Sequence, residues 1–553
     1  MKITDTSDLW WKTAVVYCLD VETFVDSNGD GIGDLQGLAQ RIDYLAQVGV
    51  TVLWLMPFYP TPDRDDGYDV SDFYGVDSRL GTHGDLVEVI RTAKDRGMRV
   101  IVDLVVNHSS DKHPWFVSAK RSVNSPYRDY YVWTDEPPAH APNEVFPGEE
   151  DSIWEKDERS GQYYLHSFYR HQPDLNVANP KVRDEIAKII GFWLQMGISG
   201  FRVDAVPFLL EVPTGADMGD PHDFLRDIRQ FMQRRSSEAI LLGEVNLPYE
   251  KQLDYFGRND AHELTMQFDF VGMQAIYLSL ARADPAPLVA ALQARPAIAR
   301  ESQWANFLRN HDELTLDKLS DDERAEVFEA FAPEEYQRVY GRGIVRRLPP
   351  MLRGDPRRIR MAYSLMFSLP GTPVLFYGEE IGMGENADLD KRQVVRTPMQ
   401  WTDGAVGGFS SATASRLVAP PPGDGYAPAH VNVADQLNDR GSLLHFFRDL
   451  TGRYRISPEL GWGELTILDG GVPGVLVHSV SADVGTMVAV HNFTDVPATV
   501  RIDLPAEPEG TGLVDLFGPE RMPLDGRSGI DLEIDAYGYR WLRVSRPGDG
   551  RLT

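Results

Sequence analysis

The sequence predicts an α/β fold in which repeated strand–helix units surround a parallel sheet, followed by an antiparallel β-sandwich domain. Short apolar runs rich in β-branched residues alternate with longer helical patterns over most of the chain. From about residue 455 onward, alternating runs such as residues 474–480 and 485–490 replace this rhythm. The length of 553 residues leaves room for a barrel of about 250 residues or more together with smaller domains.

Six apolar runs are the candidate strands of the parallel sheet, and polar or acidic residues follow them. They lie at residues 50–55, 99–104, 200–204, 240–244, 304–308 and 372–377. In a parallel barrel the carboxyl ends of the strands form the catalytic face. We therefore expect the polar residues at the ends of these runs to meet at one edge of the sheet.

Two long segments interrupt the strand–helix rhythm and set the expected domain boundaries. Residues 108–175 are too long and too rich in Trp, Tyr, Pro and charge for a simple loop, so we expect a small inserted domain after the third strand. Residues 314–355 carry a charged stretch and predict either a helical lid or a solvated helical elaboration. The expected organisation is a barrel built from residues 1–107 and 176–454, with the sandwich at residues 455–553.

The charge and the cysteine content limit the kinds of partner and the cellular compartment that we expect for this protein. The formal charge is −28, with 83 acidic against 55 basic residues, so most of the surface would repel a nucleic acid. The single cysteine, Cys18, excludes an internal disulfide and is compatible with a reducing compartment. Residues 1–6 lack the pattern of a secretory leader, and no apolar stretch of about 18 residues occurs. We expect a cytoplasmic protein with a small neutral substrate and no membrane partner, and homo-oligomerisation stays open.

The loop at residues 26–34 has the pattern of a site for a hard cation. Its glycines permit a tight turn, and its alternate positions offer oxygen ligands. Those positions are Asp26, Asn28, Asp30, Ile32 and Asp34. The twelfth position is Gly37 rather than the Glu of an EF-hand, so the loop is not an EF-hand. We expect a structural Ca²⁺ here, and the alternative is an Asx-rich turn without metal.

Two acidic residues follow neighbouring candidate strands and have the chemistry of a retaining glycosidase. That reaction needs a carboxylate nucleophile and a carboxylic acid about 5 to 5.5 Å apart. Asp204 and Glu244 are the candidates for these roles. Arg202, two residues earlier on the same strand face, would keep Asp204 ionised, and burial after an apolar run would raise the pKa of Glu244.

A third acidic residue, Asp312, would grip substrate hydroxyls while the anomeric centre develops positive charge. His108 and His311 would serve as neutral hydrogen-bonding partners. Each of these residues taken alone has a simpler explanation in core packing with satisfied hydrogen bonds. Their joint occurrence at successive strand ends favours an active site.

The order and spacing of these motifs resemble those of glycoside hydrolase family thirteen, the α-amylase family. The segments that carry the resemblance are residues 103–108 (Asp-Leu-Val-Val-Asn-His), 172–176 (Gln-Pro-Asp-Leu-Asn), 200–205 (Gly-Phe-Arg-Val-Asp-Ala), Glu244 and residues 310–312 (Asn-His-Asp). The resemblance covers nearly the whole chain. It implies a (β/α)₈ TIM barrel with Asp204 as nucleophile, Glu244 as acid/base and Asp312 as transition-state stabiliser.

Two further segments are similar to exo-acting α-glucosidases and, more closely, to trehalose synthases. They are residues 64–70 (Arg-Asp-Asp-Gly-Tyr-Asp-Val) and residues 392–401 (Arg-Gln-Val-Val-Arg-Thr-Pro-Met-Gln-Trp). The similarity implies that Asp65 and Arg392 pair at the closed end of a pocket, with Tyr68 beneath the non-reducing glucose. A salt bridge that only fixes a loop is the alternative for this pair. A blocked pocket favours short substrates over starch chains.

Residues 202–208 and 307–316 strengthen the similarity to trehalose synthases, which implies interconversion of maltose and trehalose through a glucosyl ester on Asp204. The chain departs from that pattern after the acid/base. Residues 244–249 read Glu-Val-Asn-Leu-Pro-Tyr where trehalose synthases usually continue with Gln-Trp, and residues 262–268 match only in part. Both stretches are expected on the acceptor side, where an isomerase and a hydrolase differ.

Two alternatives to the isomerase stay open at this point. The first is an α-glucosidase that hydrolyses maltose-type oligosaccharides or sucrose. The second is a non-catalytic scaffold similar to the heavy-chain ectodomains of amino-acid transporters. The three intact acidic residues and the lack of an apolar membrane segment disfavour the scaffold.

Overall fold

The computed structural model describes residues 9–138, 145–210, 220–258 and 262–549. Residues 1–6, on which the expectation of no leader depends, lie outside this part of the chain. Within the part described, no helix combines the length and the apolar character that crossing a bilayer requires.

The described chain begins with the first three strands of a parallel barrel and the helices that connect them. These elements are β1 (Val16–Leu19), α1 (Leu35–Val48), β2 (Val52–Leu55), α2 (His83–Asp95) and β3 (Arg99–Leu104). Strands β1 and β2 are buried along their whole length, as expected for a parallel sheet covered on both faces. The helix ends follow local sequence signals, since the Asp34 side chain caps α1 and a Thr82–Asp85 capping box starts α2.

An inserted segment with its own small antiparallel sheet follows β3. It contains α3 (Pro114–Arg121), β4 (Trp133–Thr134), β5 (Trp154–Lys156) and β6 (Tyr163–Leu165). The described strands of this sheet lie in the order β4-β6-β5. An insertion at this point places its residues above the carboxyl end of the barrel, next to the expected catalytic face.

The barrel resumes after the insert. The next elements are α4 (Pro180–Met196), β7 (Gly200–Val203), α5 (Val206–Leu210), α6 (Asp223–Arg235), β8 (Ile240–Gly243), α7 (Tyr249–Phe256), β9 (Met266–Phe268), α8 (Phe270–Arg282), α9 (Ala286–Ala294) and β10 (Gln303–Asn306). All of these strands run parallel to their neighbours.

The segment before the last barrel strand combines helices with a small sheet. It contains β11 (Leu314–Thr315), α10 (Asp321–Phe331), β12 (Arg338–Val339), β13 (Gly343–Ile344), α11 (Leu348–Met351), α12 (Pro356–Ser368) and β14 (Thr372–Phe376). Strand β14 pairs in parallel with β1, with Val374 opposite Val16, and this pairing closes the barrel. The described barrel has the order β1-β14-β10-β9-β8-β7-β3-β2, so the predicted eight-stranded TIM barrel is confirmed.

An antiparallel domain completes the described chain. It follows α13 (Val433–Asn438), α14 (Leu443–Arg455) and α15 (Glu459–Trp462), and its strands are β15 (Glu464–Leu468), β16 (Val475–Ala482), β17 (Gly485–Asn492), β18 (Ala498–Asp503), β19 (Gly512–Asp515), β20 (Arg521–Pro523), β21 (Gly529–Ile534) and β22 (Tyr539–Ser545). The described sheets are β15-β16-β17-β22-β19-β20 and β18-β21. Val477 and Val490 share one apolar core with Val500 and Ile502, so the two sheets pack face to face as predicted.

The antiparallel domain is attached to helix α12 through buried polar contacts. The Ser364 hydroxyl contacts His491 Nε2 at 3.0 Å and accepts from Trp541 Nε1 at 3.0 Å. His478 Nε2 donates to the Ser368 carbonyl at 3.0 Å. Burial lowers the pKa of His478 to about 4 and the pKa of His491 well below its ordinary value, so both rings are neutral at pH 7.

Candidate active site

A cavity of about 430 Å³ lies at the carboxyl ends of the barrel strands. Asp204 and Glu244 follow β7 and β8 directly, Asp312 lies on the loop after β10, and all three line the cavity. This volume falls within the range of about 300 to 1,000 Å³ that is typical of small-molecule sites. The structure therefore brings the three predicted catalytic carboxylates to one site on the catalytic face of the barrel.

One buried arginine contacts both predicted reactive carboxylates. Arg202 Nη1 donates to Asp204 Oδ1 at 2.5 Å and to Asp103 Oδ1 at 2.6 Å, while Nη2 donates to Glu244 Oε2 at 2.7 Å. The Arg202 side chain is only 1% exposed, so these charges interact with little screening by water. The sequence predicts the contact with Asp204 from their spacing on one strand face, and the contact with Glu244 comes from the neighbouring strand.

Glu244 has the protonation behaviour that a general acid requires. Burial raises its pKa to about 7, the charges of Asp204 and Asp312 act in the same direction, and Arg202 opposes them. The Ala205 amide donates to Glu244 Oε2 at 3.1 Å. Ala205 has a φ of 46°, a conformation that costs free energy for a residue with a Cβ and that concentrates at functional sites. The turn after Asp204 thus orients Glu244 through its backbone.

Asp312 is held in its ionised form by two arginines. Arg392 Nη1 and Arg396 Nη2 each lie 3.0 Å from Asp312 Oδ1. Burial alone would raise the pKa of this carboxyl, but the charges of Arg392 and Arg396 bring it well below its ordinary value. Asp312 therefore stays negative across the pH range in which Glu244 titrates.

The closed end of the cavity differs in one respect from the sequence-based expectation. Among the residues that the structure describes, Asp65 and Arg392 form no ion pair, so the predicted direct contact is wrong. Arg392 Nε instead donates to Glu313 Oε2 at 2.8 Å, because Glu313 follows Asp312 and presents a second carboxylate. Asp65 Oδ2 accepts from Gln172 Nε2 at 2.7 Å, and burial raises the pKa of Asp65 to about 7. Both Asp65 and Arg392 still line the cavity.

Three predicted substrate-binding residues form one cluster, of which Tyr68 and His108 line the cavity and His311 lies behind Tyr68. The rings of Tyr68 and His311 are stacked, with centroids 5.5 Å apart and planes 8° from parallel, and Tyr68 Oη lies 2.8 Å from His311 Nε2. His108 Nε2 donates to the Tyr68 carbonyl at 3.1 Å. Burial lowers the pKa of both histidines, so they are neutral, and their roles toward substrate stay predictions.

Sequence reasoning missed a polar group in the cavity wall beside residues 244–249, which are expected on the acceptor side. Asn246 Nδ2 lies 3.2 Å from each carboxylate oxygen of Asp317, and Gln274 Nε2 donates to Asp317 Oδ1 at 3.1 Å. Burial alone would raise the pKa of Asp317, but Lys318 and these hydrogen bonds lower it. The sequence offered one indication of this group, namely the position of Asn246 two residues after Glu244. The contact of Asn246 with Asp317 could not be predicted, because it depends on how separate loops pack together.

Arg396 and Gln172 are further residues whose function the sequence did not assign. Both lie inside motifs that the sequence analysis identified, and each contacts a predicted site residue. Arg396 Nε donates to the His311 carbonyl at 2.8 Å, and Arg396 also pairs with Asp66. Gln172 orients Asp65 through the contact described above. Arg396 and Gln172 therefore help to hold the predicted site residues in place.

The predicted calcium loop is held together by its own hydrogen bonds. Asp26 accepts from the Gly29 and Gly31 amides at 2.6 and 2.8 Å, and Asp34 accepts from the Gly37 amide at 2.6 Å as the cap of α1. Asp26 also accepts from the Asn28 amide and the Ser410 hydroxyl, so both of its oxygens already take two hydrogen bonds each, whereas Asp34 accepts three bonds and keeps one lone pair free. The donor set of oxygens fits Ca²⁺ in chemistry. In the described part of the chain, however, no group of three or more His, Cys, Asp or Glu residues is arranged to hold a metal, so Ca²⁺ stays a prediction.

Comparison with known proteins gives consistent matches over most of the chain. The α-amylase catalytic-domain family matches residues 20–331 and 346–460, and a sucrose hydrolase-like C-terminal domain matches residues 485–543. A trehalose synthase of Pimelobacter sp. is 39% identical over 97% of this chain and 96% of that protein. A trehalose synthase/amylase of Mycobacterium tuberculosis is 39% identical over 97% of this chain and 90% of that protein.

A solved structure has a similar fold over nearly the whole chain. The trehalulose synthase of Pseudomonas mesoacidophila superposes with a TM-score of 0.76 at 28% identity, covering 97% of this chain and 99% of that one. The alignment thus includes the barrel, the insert and the antiparallel domain together.

Proposed function

The chain belongs to the α-amylase family, and from that premise we propose that it is a retaining enzyme acting on short α-glucosides through a glucosyl ester on Asp204. One observation carries the proposal. Arg202 contacts Asp204 and Glu244 with adjacent nitrogens, and burial raises the pKa of Glu244 to about 7. An ionised carboxylate beside a protonated carboxyl is the pair that retaining hydrolysis or transfer requires.

In the first step, an Asp204 oxygen attacks the anomeric carbon while the bond to the glycosidic oxygen breaks. The electron pair of that bond goes to the leaving oxygen, which takes the proton of Glu244. Positive charge develops at the anomeric centre, and the ionised Asp312 stabilises it while gripping ring hydroxyls. The products of this step are a glucosyl ester on Asp204 and a free sugar.

In the second step, Glu244 acts as a base. Its carboxylate takes a proton from an acceptor hydroxyl, whose oxygen attacks the anomeric carbon and releases Asp204. Arg202 stays within reach of both carboxylates, so its charge offsets whichever of them is negative. Two inversions at the same carbon give net retention of the α configuration.

The acceptor in the second step decides the product. We propose that the acceptor is the freed glucose, so that the enzyme interconverts maltose and trehalose, a proposal supported by relatives that are named trehalose synthases. The limited volume of the cavity and the charge-rich closed end support a disaccharide substrate. The alternative is hydrolysis of maltose-type oligosaccharides or sucrose, which the departures at residues 244–249 and 262–268 favour.

Product analysis tests this proposal directly. Purified enzyme is incubated separately with maltose, trehalose and sucrose, and glucose, trehalose and longer glucosides are resolved over time. We expect trehalose from maltose, and maltose from trehalose, with glucose as the minor product. Glucose as the sole product would establish the hydrolase. An Asp204→Asn variant prepared in parallel controls for contaminating glucosidases.

The proposal includes a structural Ca²⁺ in the loop at residues 26–34. The expected ligands are Asp26, Asn28, Asp30, the Ile32 carbonyl and Asp34. When bound, the ion neutralises the carboxylates of the loop and fixes the start of helix α1. The loop lies outside the set of residues that line the cavity, so no step of the reaction depends on it.

A further inference from the structure

Two segments that are distant in sequence meet beside the cavity, in a contact that the reaction described above does not use. One is the stretch of the insert after residue 145. The other is the turn that joins β12 to β13, where Tyr340 and Gly341 have φ values of 55° and 66°. These consecutive left-handed residues form a tight turn and direct the chain back toward the cavity. Val145, Phe146 and Arg342 all line the cavity.

Two hydrogen bonds and one ring contact join the segments. Arg342 Nη2 donates to the Val145 carbonyl at 2.6 Å. The Phe146 ring lies against the Tyr340 ring, with centroids 4.9 Å apart and planes 31° from parallel. Tyr340 Oη lies 3.5 Å from Tyr169 Oη. Because Arg342 bonds to a backbone carbonyl, this contact does not require a particular side chain at position 145.

The same contact reaches the closed end of the cavity. The Phe146 ring packs under the Arg392 guanidinium, whose carbon lies 4.7 Å from the ring centroid. Lys391, the residue before Arg392, pairs with Glu149 of the insert. The insert is thus joined to the barrel on two sides of Phe146, through Lys391 on one side and through the β12–β13 turn, with Tyr340 and Arg342, on the other.

We propose that Arg342 is a positioning residue that determines which acceptor resolves the glucosyl ester, an inference that rests on the proposed function. Its bond to the Val145 carbonyl holds the turn against the insert, which keeps the freed glucose inside and bulk water outside. The chemistry is the same for both acceptors. The acceptor oxygen bonds to the anomeric carbon, the ester bond to Asp204 breaks, and the acceptor proton goes to Glu244.

The test compares Arg342→Ala and Arg342→Lys with the wild type on maltose. Arg324→Ala is the matched control, because Arg324 lies in the same inter-strand segment but pairs at the surface with Asp321. The first measurement is the ratio of glucose to trehalose formed. The second is the incorporation of isotope-labelled free glucose into trehalose, which reports whether the freed sugar leaves before transfer. The third is nitrophenol release from p-nitrophenyl α-glucoside.

We expect Arg342→Ala to raise the glucose-to-trehalose ratio about tenfold, the size of effect for one lost hydrogen bond to a charged group. Labelled glucose should enter the product in this variant and be largely excluded in the wild type. Nitrophenol release should change less than the product ratio, Arg342→Lys should recover part of the wild-type ratio, and Arg324→Ala should match the wild type. These results together would establish the role of Arg342.

The melting curve establishes whether Arg342→Ala is folded. If the folded variant keeps the wild-type product ratio and still excludes labelled glucose, the inference is wrong, but the proposed function stands. Glucose as the only product of the wild type would instead remove the isomerase and the inference with it. If Arg342→Ala does not fold, Tyr340→Ala removes the ring beside Phe146 and leaves Arg342 in place. The same increase in hydrolysis is expected for this variant, and an unchanged ratio would again contradict the inference.

Discussion

The two ends of the cavity are built from different interactions. At the closed end, Asp312 is contacted by the guanidinium groups of Arg392 and Arg396. At the acceptor end, the carboxylate of Asp317 is held by the neutral amides of Asn246 and Gln274, with one lysine beside it. Removing one member of a buried charge network leaves an uncompensated charge, whereas removing a neutral hydrogen bond costs much less. The closed end is therefore more sensitive to substitution than the acceptor end.

The two ends are expected to control different parts of the reaction. The closed end should control cleavage of the glycosidic bond, and the acceptor end should control which product is formed. Under the proposed function, every substrate places its glucosyl unit in the closed end, and only the acceptor sugar occupies the other end. A change at the closed end should affect all substrates equally. A change at the acceptor end should affect disaccharides and spare substrates with a simple leaving group.

The largest effect is expected at Asp204, which both ends share. Asp204→Asn removes the nucleophile while keeping the shape of the side chain, so turnover should fall by about 10⁴-fold or more on every substrate. The measurement is kcat for maltose and for p-nitrophenyl α-glucoside, with a melting curve to establish folding. Activity close to the wild type on either substrate would contradict the assignment of Asp204.

A smaller but uniform loss is expected at the closed end. Arg392→Ala leaves the buried carboxylates of Asp312 and Glu313 without one of their partners, so kcat/KM should fall about a hundredfold or more. The fall should be similar for maltose and for p-nitrophenyl α-glucoside. Lys391→Ala provides a control one residue away, since Lys391 forms a more exposed pair. A loss restricted to maltose would argue that Arg392 belongs to the acceptor end.

The pH dependence tests Glu244, which lies between the two ends. Glu244 must be protonated to release the leaving sugar, and its pKa is about 7. The rate of glucosyl-ester formation from maltose should hold below pH 7 and fall about tenfold per pH unit above it. For p-nitrophenyl α-glucoside the fall should be much weaker, because nitrophenolate leaves without a proton. An equal decline in rate above pH 7 for the two substrates would contradict the assignment of Glu244 as the general acid.

The acceptor end should show a selective effect. Asp317→Ala removes the carboxylate that Asn246 and Gln274 contact, and kcat/KM for maltose should fall about tenfold. For p-nitrophenyl α-glucoside the change should stay below about twofold, because no acceptor sugar is bound. A comparable loss on both substrates would show that the two ends do not act independently.

The smallest effect is expected for calcium, which lies outside both ends. Chelation should lower the melting temperature by a few degrees, since a ligand that binds only the native state stabilises it. Restoring Ca²⁺ should recover the melting temperature, and Asp30→Ala should make the protein insensitive to chelator. An Asp30→Ala variant with wild-type stability, together with no response of the wild type, would indicate an Asx-rich turn without metal.

The sequence predicted the fold well where a strand is long and apolar. Five of the six predicted runs contain one barrel strand each, such as β3 within residues 99–104, and the run at residues 304–308 overlaps β10, which begins one residue earlier. Strands β1 and β9 were not predicted individually. Strand β9 has three residues and offers little periodicity, whereas β1 has four residues, as the predicted β2 does, so its length does not explain why it was missed. Their place in the barrel was implied only by the family resemblance.

Individual contacts within the site were predictable where the two residues lie close together in the chain. The contact of Arg202 with Asp204 follows from their spacing on one strand. The contacts of Asp317 with Asn246, and of Asp65 with Gln172, join loops that follow different strands. Their partners depend on loop conformation, for which hydrophobic periodicity carries no signal. The expected pairing of Asp65 with Arg392 failed for the same reason.

The pairing of β1 with β14 has a consequence for how the polypeptide matures on the ribosome. Val16 emerges early and must wait for Val374 before the barrel can close. At typical rates of translation this delay is on the order of tens of seconds. Ser364 of helix α12 waits about half as long, until Trp541 has been made. During the first interval the edge of β1 that later pairs with β14 is exposed, so we expect chaperone demand during synthesis to exceed the demand of the finished enzyme.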